Sequence, residues 1–245
     1  MSNIYESERL LNEYLLFHYG SPTEILPWDF GPVEALGFAE RSVNLLQDRM
    51  LIAAQGAAAL DLGCAVGRSC YELAHGCERV IGIDYSQSFV NAAEKVRVSG
   101  ELPYQQHIEG REIRELIAKR PECGDASRIS FEQGDAMNIR ADIGNFDVVH
   151  AANLLCRLPE PQKLIQRLPD LVKPGGQLLL TTPCTWLEEF TPSQNWPQGS
   201  TFEWLKESLS GSFELAEQVD LPFLIREHAR KYQWSVALGT RWVRL

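Results

Sequence analysis

Short apolar runs that end in an acid or a glycine alternate with amphipathic stretches along most of this chain. Ala58-Ala-Leu-Asp-Leu62, Arg79-Val-Ile-Gly-Ile-Asp84, Ile129-Ser-Phe-Glu-Gln133 and Phe146-Asp-Val-Val-His-Ala-Ala152 each have strand length. The most apolar of them run without alternation, as parallel strands covered on both faces do. Leu171-Val-Lys-Pro-Gly-Gly-Gln-Leu-Leu-Leu-Thr-Thr182 supplies a helix end, a Gly-Gly turn and a fifth strand. Ser86 to Val98 reads as a helix with Ser86 as N-cap, and another is expected near 201–210. Two last strands are expected at roughly 213–221 and 232–242, joined through 222–231, with the final one antiparallel. Before the first strand, Ser7, Leu10, Leu11, Tyr14, Leu15 and His18 recur at three- and four-residue steps and share one helix face over residues 4–19. Gly20-Ser-Pro22 stops that helix, the segment 25–32 is too proline-rich to continue it, and a second helix is expected from about Pro32 to Met50. Between Gly100 and Arg128 stands an insertion for which a charged helix is expected at about 109–120. The whole is an α/β pattern.

The 245 residues contain no compositional break, so one domain is expected over 1–245: a helical extension or lid at 1–50, and a core at 56–245 carrying the insertion at about 101–128. A net charge of −10 disfavours a nucleic-acid substrate, because phosphate neutralisation by cations supplies most of that affinity. The six cysteines show no C-x-x-C pairing, and no leader or long apolar span precedes them, so reduced thiols, a cytoplasmic location and no membrane association are expected. Zinc held by Cys64, Cys70 and Cys77 would need gaps unlike structural zinc patterns, and no metal is expected.

The first strand runs into Asp61-Leu-Gly63-Cys64-Ala65-Val-Gly67-Arg68, a loop whose glycines let backbone approach a ligand. A dinucleotide fingerprint would place further glycines where Ala65 and Arg68 stand, which weakens that reading. The Asp-x-Gly-x-x-x-Gly arrangement instead resembles motif I of class I S-adenosylmethionine methyltransferases. Matches to the later motifs follow in order. The resemblance implies a Rossmann-like seven-stranded sheet whose last strand is antiparallel, with S-adenosylmethionine bound and S-adenosylhomocysteine released. It also implies cofactor contacts from Asp61, Gly63, Cys64, Ala65, Gly67 and Arg68, and a ribose carboxylate at Asp84 next to Tyr85 and Ser86. Asp135, Ala136 and Met137 would hold the adenine, with Asn153 after the fourth strand.

Three segments are expected to converge on the carboxyl edge of such a sheet: 153–157, 182–186 and 226–231, with the N-terminal helix closing over them. His18 and His228 could hydrogen-bond or deprotonate an azole. Arg157, Arg226 and Arg230 suit a substrate carboxylate through their planar donor fork, and Glu227 suits an ammonium. The plain alternative for 226–231 is a solvated charge run. Tyr5, Tyr14, Trp28 and Trp186 are candidates to wall the pocket, whereas Phe17 is read as core.

Four blocks outside the cofactor motifs are more discriminating: Tyr5 to Gly20, Ala152 to Pro159, Thr185 to Pro192 and Ile225 to Trp234. Together they resemble the 5-thiohistidine (4-mercaptohistidine) N-methyltransferases of ovothiol biosynthesis. That resemblance implies methylation of the imidazole nitrogen nearest the side chain of a thiohistidine-like amino acid. In that family the module is often fused behind an iron-dependent sulfoxide synthase. No synthase region stands in these residues, so another protein is expected to supply the thiolated or selenium-bearing histidine. The competing readings are a methyltransferase for another small molecule and a non-catalytic cofactor-binding partner of the synthase.

Overall fold

The computed structural model describes residues 4–52 and 55–245. Residues 1–3 of the expected extension and 53–54 at the expected boundary with the core lie outside that range. The extension carries α1 (Glu8–Tyr19), α2 (Pro22–Ile25) and α3 (Phe38–Asn44). The core then alternates β1 (Ala58–Leu62), α4 (Arg68–Leu73), β2 (Arg79–Asp84) and α5 (Gln87–Ser99). An excursion, β3 (Glu101–Glu109) and β4 (Glu112–Lys119), precedes β5 (Ile129–Gln133) and β6 (Phe146–Ala152). The chain ends with α6 (Pro161–Leu171), β7 (Val172–Thr182), α7 (Thr201–Leu209), β8 (Phe213–His228) and β9 (Lys231–Arg244).

Seven strands form one sheet in the order β5-β2-β1-β6-β7-β9-β8, parallel except for β9, which inserts antiparallel between β7 and β8. This is the expected class I arrangement. All five residues of β1 are buried, because both faces of the sheet are covered. Leu60, Leu62, Val149 and Leu178 pack on one face with Leu164 and Leu168 of α6 and Leu205 of α7. Ala59, Val80, Val148 and Leu179 pack on the other with Phe38 and Val43 of α3 and Tyr71 and Leu73 of α4. Ser86 caps α5 as expected, accepting from Phe89 N at 3.2 Å.

Three expectations are corrected. The charged segment 109–120 is not helical: β3 and β4 form an antiparallel hairpin that turns at Gly110, φ +54°. Tyr104, Leu116 and Ala118 face the protein at alternate positions, and this buried stripe with its cross-strand pairing outweighs the helix propensity of Glu, Leu and Arg. The helix expected from 32 to 50 is confined to α3, because Gly37 enters it in a left-handed conformation and Leu45 closes it. The connector expected at 222–231 is strand. Pro222 sits opposite Val236 on β8, an edge strand where the missing N–H is tolerated.

The sheet proper ends where Thr182 pairs with Leu238 and Leu238 with Asp220. Beyond that level β8 and β9 continue as a two-stranded ribbon about 25 Å long. The ribbon, the β3–β4 hairpin and α1 build a second layer around Leu15, Leu16, Tyr104, Leu116 and Leu224. No helix among the described residues is long and apolar enough to cross a membrane.

Candidate active site

The loop after β1 is held from beneath by β2. Gly63 N and Cys64 N donate to Ile83 O at 2.8 and 3.0 Å, and Ala65 N donates to Asp84 Oδ2 at 2.8 Å. Ala65 at φ +47° and Gly63 at φ +70° curl the loop around the end of the strand. Gly67 has φ +84°, and a Cβ there would lie 2.5 Å from the Phe131 ring, so glycine is required twice over. Asp84 Oδ1 accepts from Ser86 N at 2.9 Å. Each Asp84 oxygen therefore keeps a free lone pair. Burial raises its pKa to about 6 against the pull of the two backbone N–H donors. A desolvated carboxylate with one N–H on each oxygen fits a pair of hydroxyl donors.

Asp61 has a different place. His150 Nδ1 lies 2.8 Å from its Oδ1, while Ser69 Oγ at 2.6 Å and Cys70 Sγ at 3.2 Å donate to Oδ2. Burial works to raise its pKa, but His150, Ser69 and Cys70 outweigh that and hold it below the usual carboxylate range. Its carboxylate braces the base of the loop. Arg68, expected among the cofactor contacts, is 7% exposed and donates to Glu72 at 2.8 Å and to Glu40. Its guanidinium ties α4 to α3 and belongs to the scaffold. Cys64 is buried with its thiol on the Ala65 carbonyl, and Tyr85 is 63% exposed. Gly134 N donates to Asp84 O at 2.9 Å, which brings the following Asp135-Ala136-Met137 turn beside the end of β2. Asp135 Oδ1 closes that turn on Met137 N at 2.8 Å. Asn153, at φ +53°, is fixed to Thr181 through its own N and Oδ1 at the end of β6.

The N-terminal segment bridges these loops. Ser86 Oγ and Ser88 Oγ donate to Tyr5 O at 3.0 and 3.1 Å. Glu6 accepts from Gln87 N at 2.8 Å and Ser88 N at 3.3 Å, a carboxylate cap on the positive end of α5 supplied from 81 residues away. At the other end of α1, Tyr19 OH donates to Val66 O at 2.7 Å in the β1 loop. Tyr14 and His18, one helical turn apart, lie on the side of α1 next to these loops. The Tyr14 ring is 4.8 Å from Phe89 and 5.9 Å from His18. Tyr5 packs on Phe190 at 6.4 Å, with the Arg157 guanidinium 4.7 Å from the same Phe190 ring and beside the Tyr5 phenol. His18 Nδ1 is out of solvent with no partner, and burial lowers the ring's pKa to about 3, so this imidazole is neutral.

The expected cluster at 226–231 does not join Tyr14 and His18. Arg226 donates to Glu24 O at 2.6 Å, and Glu227 is held by Lys231 at 2.7 Å and Gln233 at 2.9 Å. His228 Nδ1 accepts from Arg230 N at 3.2 Å, and the Arg230 guanidinium lies 5.8 Å from the Trp28 ring. All four stand at the far end of the ribbon, carried there by the strand extension. Trp186 is turned to Thr201 and Trp204, whereas Phe17 packs on Phe38 and Phe223 as core. Sequence reasoning missed Glu6, Phe89 and Phe190. Glu6 and Phe190 had a signal, since each stands in one of the four discriminating blocks, whereas Phe89 had none.

A family described as a methyltransferase domain matches residues 53–234. The chain belongs to the methyltransferase-domain family. It is similar to the ubiquinone biosynthesis O-methyltransferase of Coxiella burnetii, 27% identical over 140 residues, 57% of this chain and 49% of that protein. It thus spans about half the length of the curated relatives it matches. Among solved structures, a SAM-dependent methyltransferase from Aquifex aeolicus aligns with TM-score 0.53 and 18% identity over 92% of this chain and 99% of that one. A structure titled for the conversion of a disulfide bond into a thioacetal group during echinomycin biosynthesis aligns with TM-score 0.54 and 17% identity over 100% of this chain and 93% of that one. These two likenesses concern the fold. The cofactor of this methyltransferase domain is S-adenosylmethionine. The buried Asp84 carboxylate and the glycine-lined loop beside it fit its ribose and backbone-hugging tail.

Proposed function

We propose that this methyltransferase methylates the imidazole nitrogen nearest the side chain of 5-thiohistidine, or of a close thio- or seleno-histidine analogue, to form ovothiol or its analogue. The observation that carries the reading is convergence. Three of the four discriminating blocks meet at one place: Tyr5 and Tyr14 from the first, Arg157 from the second and Phe190 from the third.

When bound, S-adenosylmethionine supplies an electrophilic methyl group on a sulfonium. Asp84 takes the ribose hydroxyls, Asp135 to Met137 the adenine, and the loop 63–67 with Asn153 the amino-acid tail. The chain's remaining task is to hold a nitrogen lone pair in line, at about 3 to 3.5 Å from the carbon it attacks. Tyr5 and Tyr14 wall a flat ring, with Phe89 packed behind them in the core, and Arg157 receives the substrate carboxylate. Neutral His18 offers Nδ1 to the substrate ring as a hydrogen-bond partner. With a pKa near 3 it is a weak base, which suits a nucleophile that already carries a free lone pair. A hydroxyl acceptor, as the name of the Coxiella relative indicates for that protein, would need a stronger base than His18 provides. An iron-dependent sulfoxide synthase would supply the thiolated histidine.

The test is mass spectrometry of the purified protein with S-adenosylmethionine and, separately, 5-thiohistidine, histidine and ergothioneine. A singly methylated product from 5-thiohistidine, with its methyl on the nitrogen nearest the side chain, is expected. Turnover of histidine or ergothioneine in preference to 5-thiohistidine would overturn the reading.

A further inference from the structure

The side of α1 turned away from Tyr14 and His18 walls a cavity of about 330 Å³, closed by the β3–β4 hairpin and the far part of β8. Glu8, Arg9, Asn12, Glu13 and Leu16 line it from the helix. At 100° per residue these positions centre nearly opposite Tyr14 and His18, so the helix separates the cavity from the methyl-transfer pocket.

Two side chains that line the cavity are buried and incompletely partnered. Arg226 is 6% exposed and Gln106 2%. Both are anchored on the same carbonyl, Glu24 O, by Arg226 Nη1 at 2.6 Å and Gln106 Nε2 at 2.8 Å. That leaves Arg226 Nε, a donor, and Gln106 Oε1, an acceptor, out of solvent with no partner. Buried polar atoms of this kind are ordinarily satisfied. The carboxylates of Glu13 and Glu227, each shared with one cation, also line the cavity with Glu8. Against the guanidinium groups of Arg9 and Arg226 in the same wall, these three carboxylates leave an acidic excess that opposes a bare dianion and favours an ammonium. Leu16 and Ile113 supply apolar wall, and the volume lies at the small end of ligand sites.

We propose that this cavity is a second ligand site, distinct from the methyl-transfer pocket, for a small aliphatic α-amino acid. Its carboxylate accepts from Arg226, its ammonium donates to Gln106 Oε1 and the acidic side chains, and its aliphatic group lies on Leu16 and Ile113.

The experiment is calorimetric titration of the full chain with L-leucine, isoamylamine, which lacks the carboxylate, and 4-methylpentanoate, which lacks the amine. Saturable binding of L-leucine is expected, with both analogues at least about 10-fold weaker, the loss of one charge-assisted hydrogen bond. Arg226→Gln should weaken L-leucine by a similar factor. Because Arg226 also anchors α2, Ile113→Trp is measured beside it; Ile113 is 51% exposed on the hairpin, so a larger ring there fills the cavity without breaking a hydrogen bond. The paired variant Tyr14→Phe/His18→Asn should bind L-leucine as wild type does. Absence of saturable binding, equal binding of isoamylamine, or loss in the Tyr14/His18 variant while Arg226→Gln and Ile113→Trp are unaffected would each overturn the proposal. No methyl acceptor enters the measurement, so its outcome is independent of the thiohistidine reading.

Discussion

Asp84 and Arg68 both carry charge next to the β1 loop, yet their surroundings give them different work. Asp84 keeps a lone pair free on each oxygen, so Asp84→Ala should weaken S-adenosylmethionine by about 100-fold, two charge-assisted bonds at about 1.5 kcal/mol each, in a protein that still folds. Calorimetry checks this. Arg68 is instead committed to Glu72 and Glu40, and Arg68→Gln should cost about 2 kcal/mol of stability by removing the ion pair from the buried Glu72, which keeps its hydrogen bonds from Asn44 and Cys123, with cofactor affinity little changed. Urea unfolding beside calorimetry separates the two effects. Protonation follows the same logic. Asp84 has a folded pKa of about 6 against an ordinary 3.8, so the folded protein holds the extra proton and this group's contribution to stability falls as pH rises from about 4 to 6. His18, lowered to about 3, contributes in the opposite sense: its stability is full above about pH 6.5 and is lost as pH falls toward 3. The two offset each other between pH 4 and 6. Cofactor affinity should nevertheless drop about 10-fold for each unit below pH 6, because a protonated Asp84 loses its attraction for hydroxyl donors. The drop should appear in binding titrations while melting temperature stays nearly level, and should vanish in Asp84→Ala.

At the scale of elements, α1 and the residues before it are held by three anchors: Tyr5 O on Ser86 and Ser88, Glu6 on the N-terminus of α5, and Tyr19 OH on Val66 O. Deleting residues 1–20 should abolish turnover while reducing cofactor affinity far less, since positioning of the acceptor and exclusion of water are lost together. Full turnover by a soluble truncated protein would remove the lid role. Glu6→Ala is a gentler version. Loss of that cap should cost about 1 kcal/mol and raise the Michaelis constant for the acceptor through a looser lid, read by steady-state kinetics. The pattern of the chain shows the helix itself, because Leu10, Leu11, Tyr14, Leu15 and His18 recur at helical steps. Its anchors are not legible there. Glu6 and Ser88 meet only because α5 begins beneath the segment, and no local signal links positions 81 to 82 residues apart.

For the molecule as a whole, the ribbon of β8 and β9 supports the second layer without being part of the sheet. Replacing residues 223–236 by a short turn should leave the pairing of Thr182, Leu238 and Asp220 intact but remove Phe223 and Leu224 from beneath α1. Amide exchange should then be fast in α1 and slow, as before, in β1 and β6. The chain's own pattern determined the central sheet, because buried parallel strands need continuous apolar runs and tight glycine turns, and both are local properties. It likewise located Asp84, whose place at the end of β2 follows from the strand that precedes it. Tertiary structure decided the rest. Segment 109–120 is strand because Leu116 and Ala118 find a buried surface to lie on, although their local propensity favours helix. Arg226 and Glu227 lie on the opposite side of α1 from Tyr14 because β8 runs on past the sheet instead of turning at Pro222. The side of α1 that each charged residue faces depends on which neighbours were there to bury it. Periodicity along a chain places residues on a face, but what that face meets is set by contacts between distant segments.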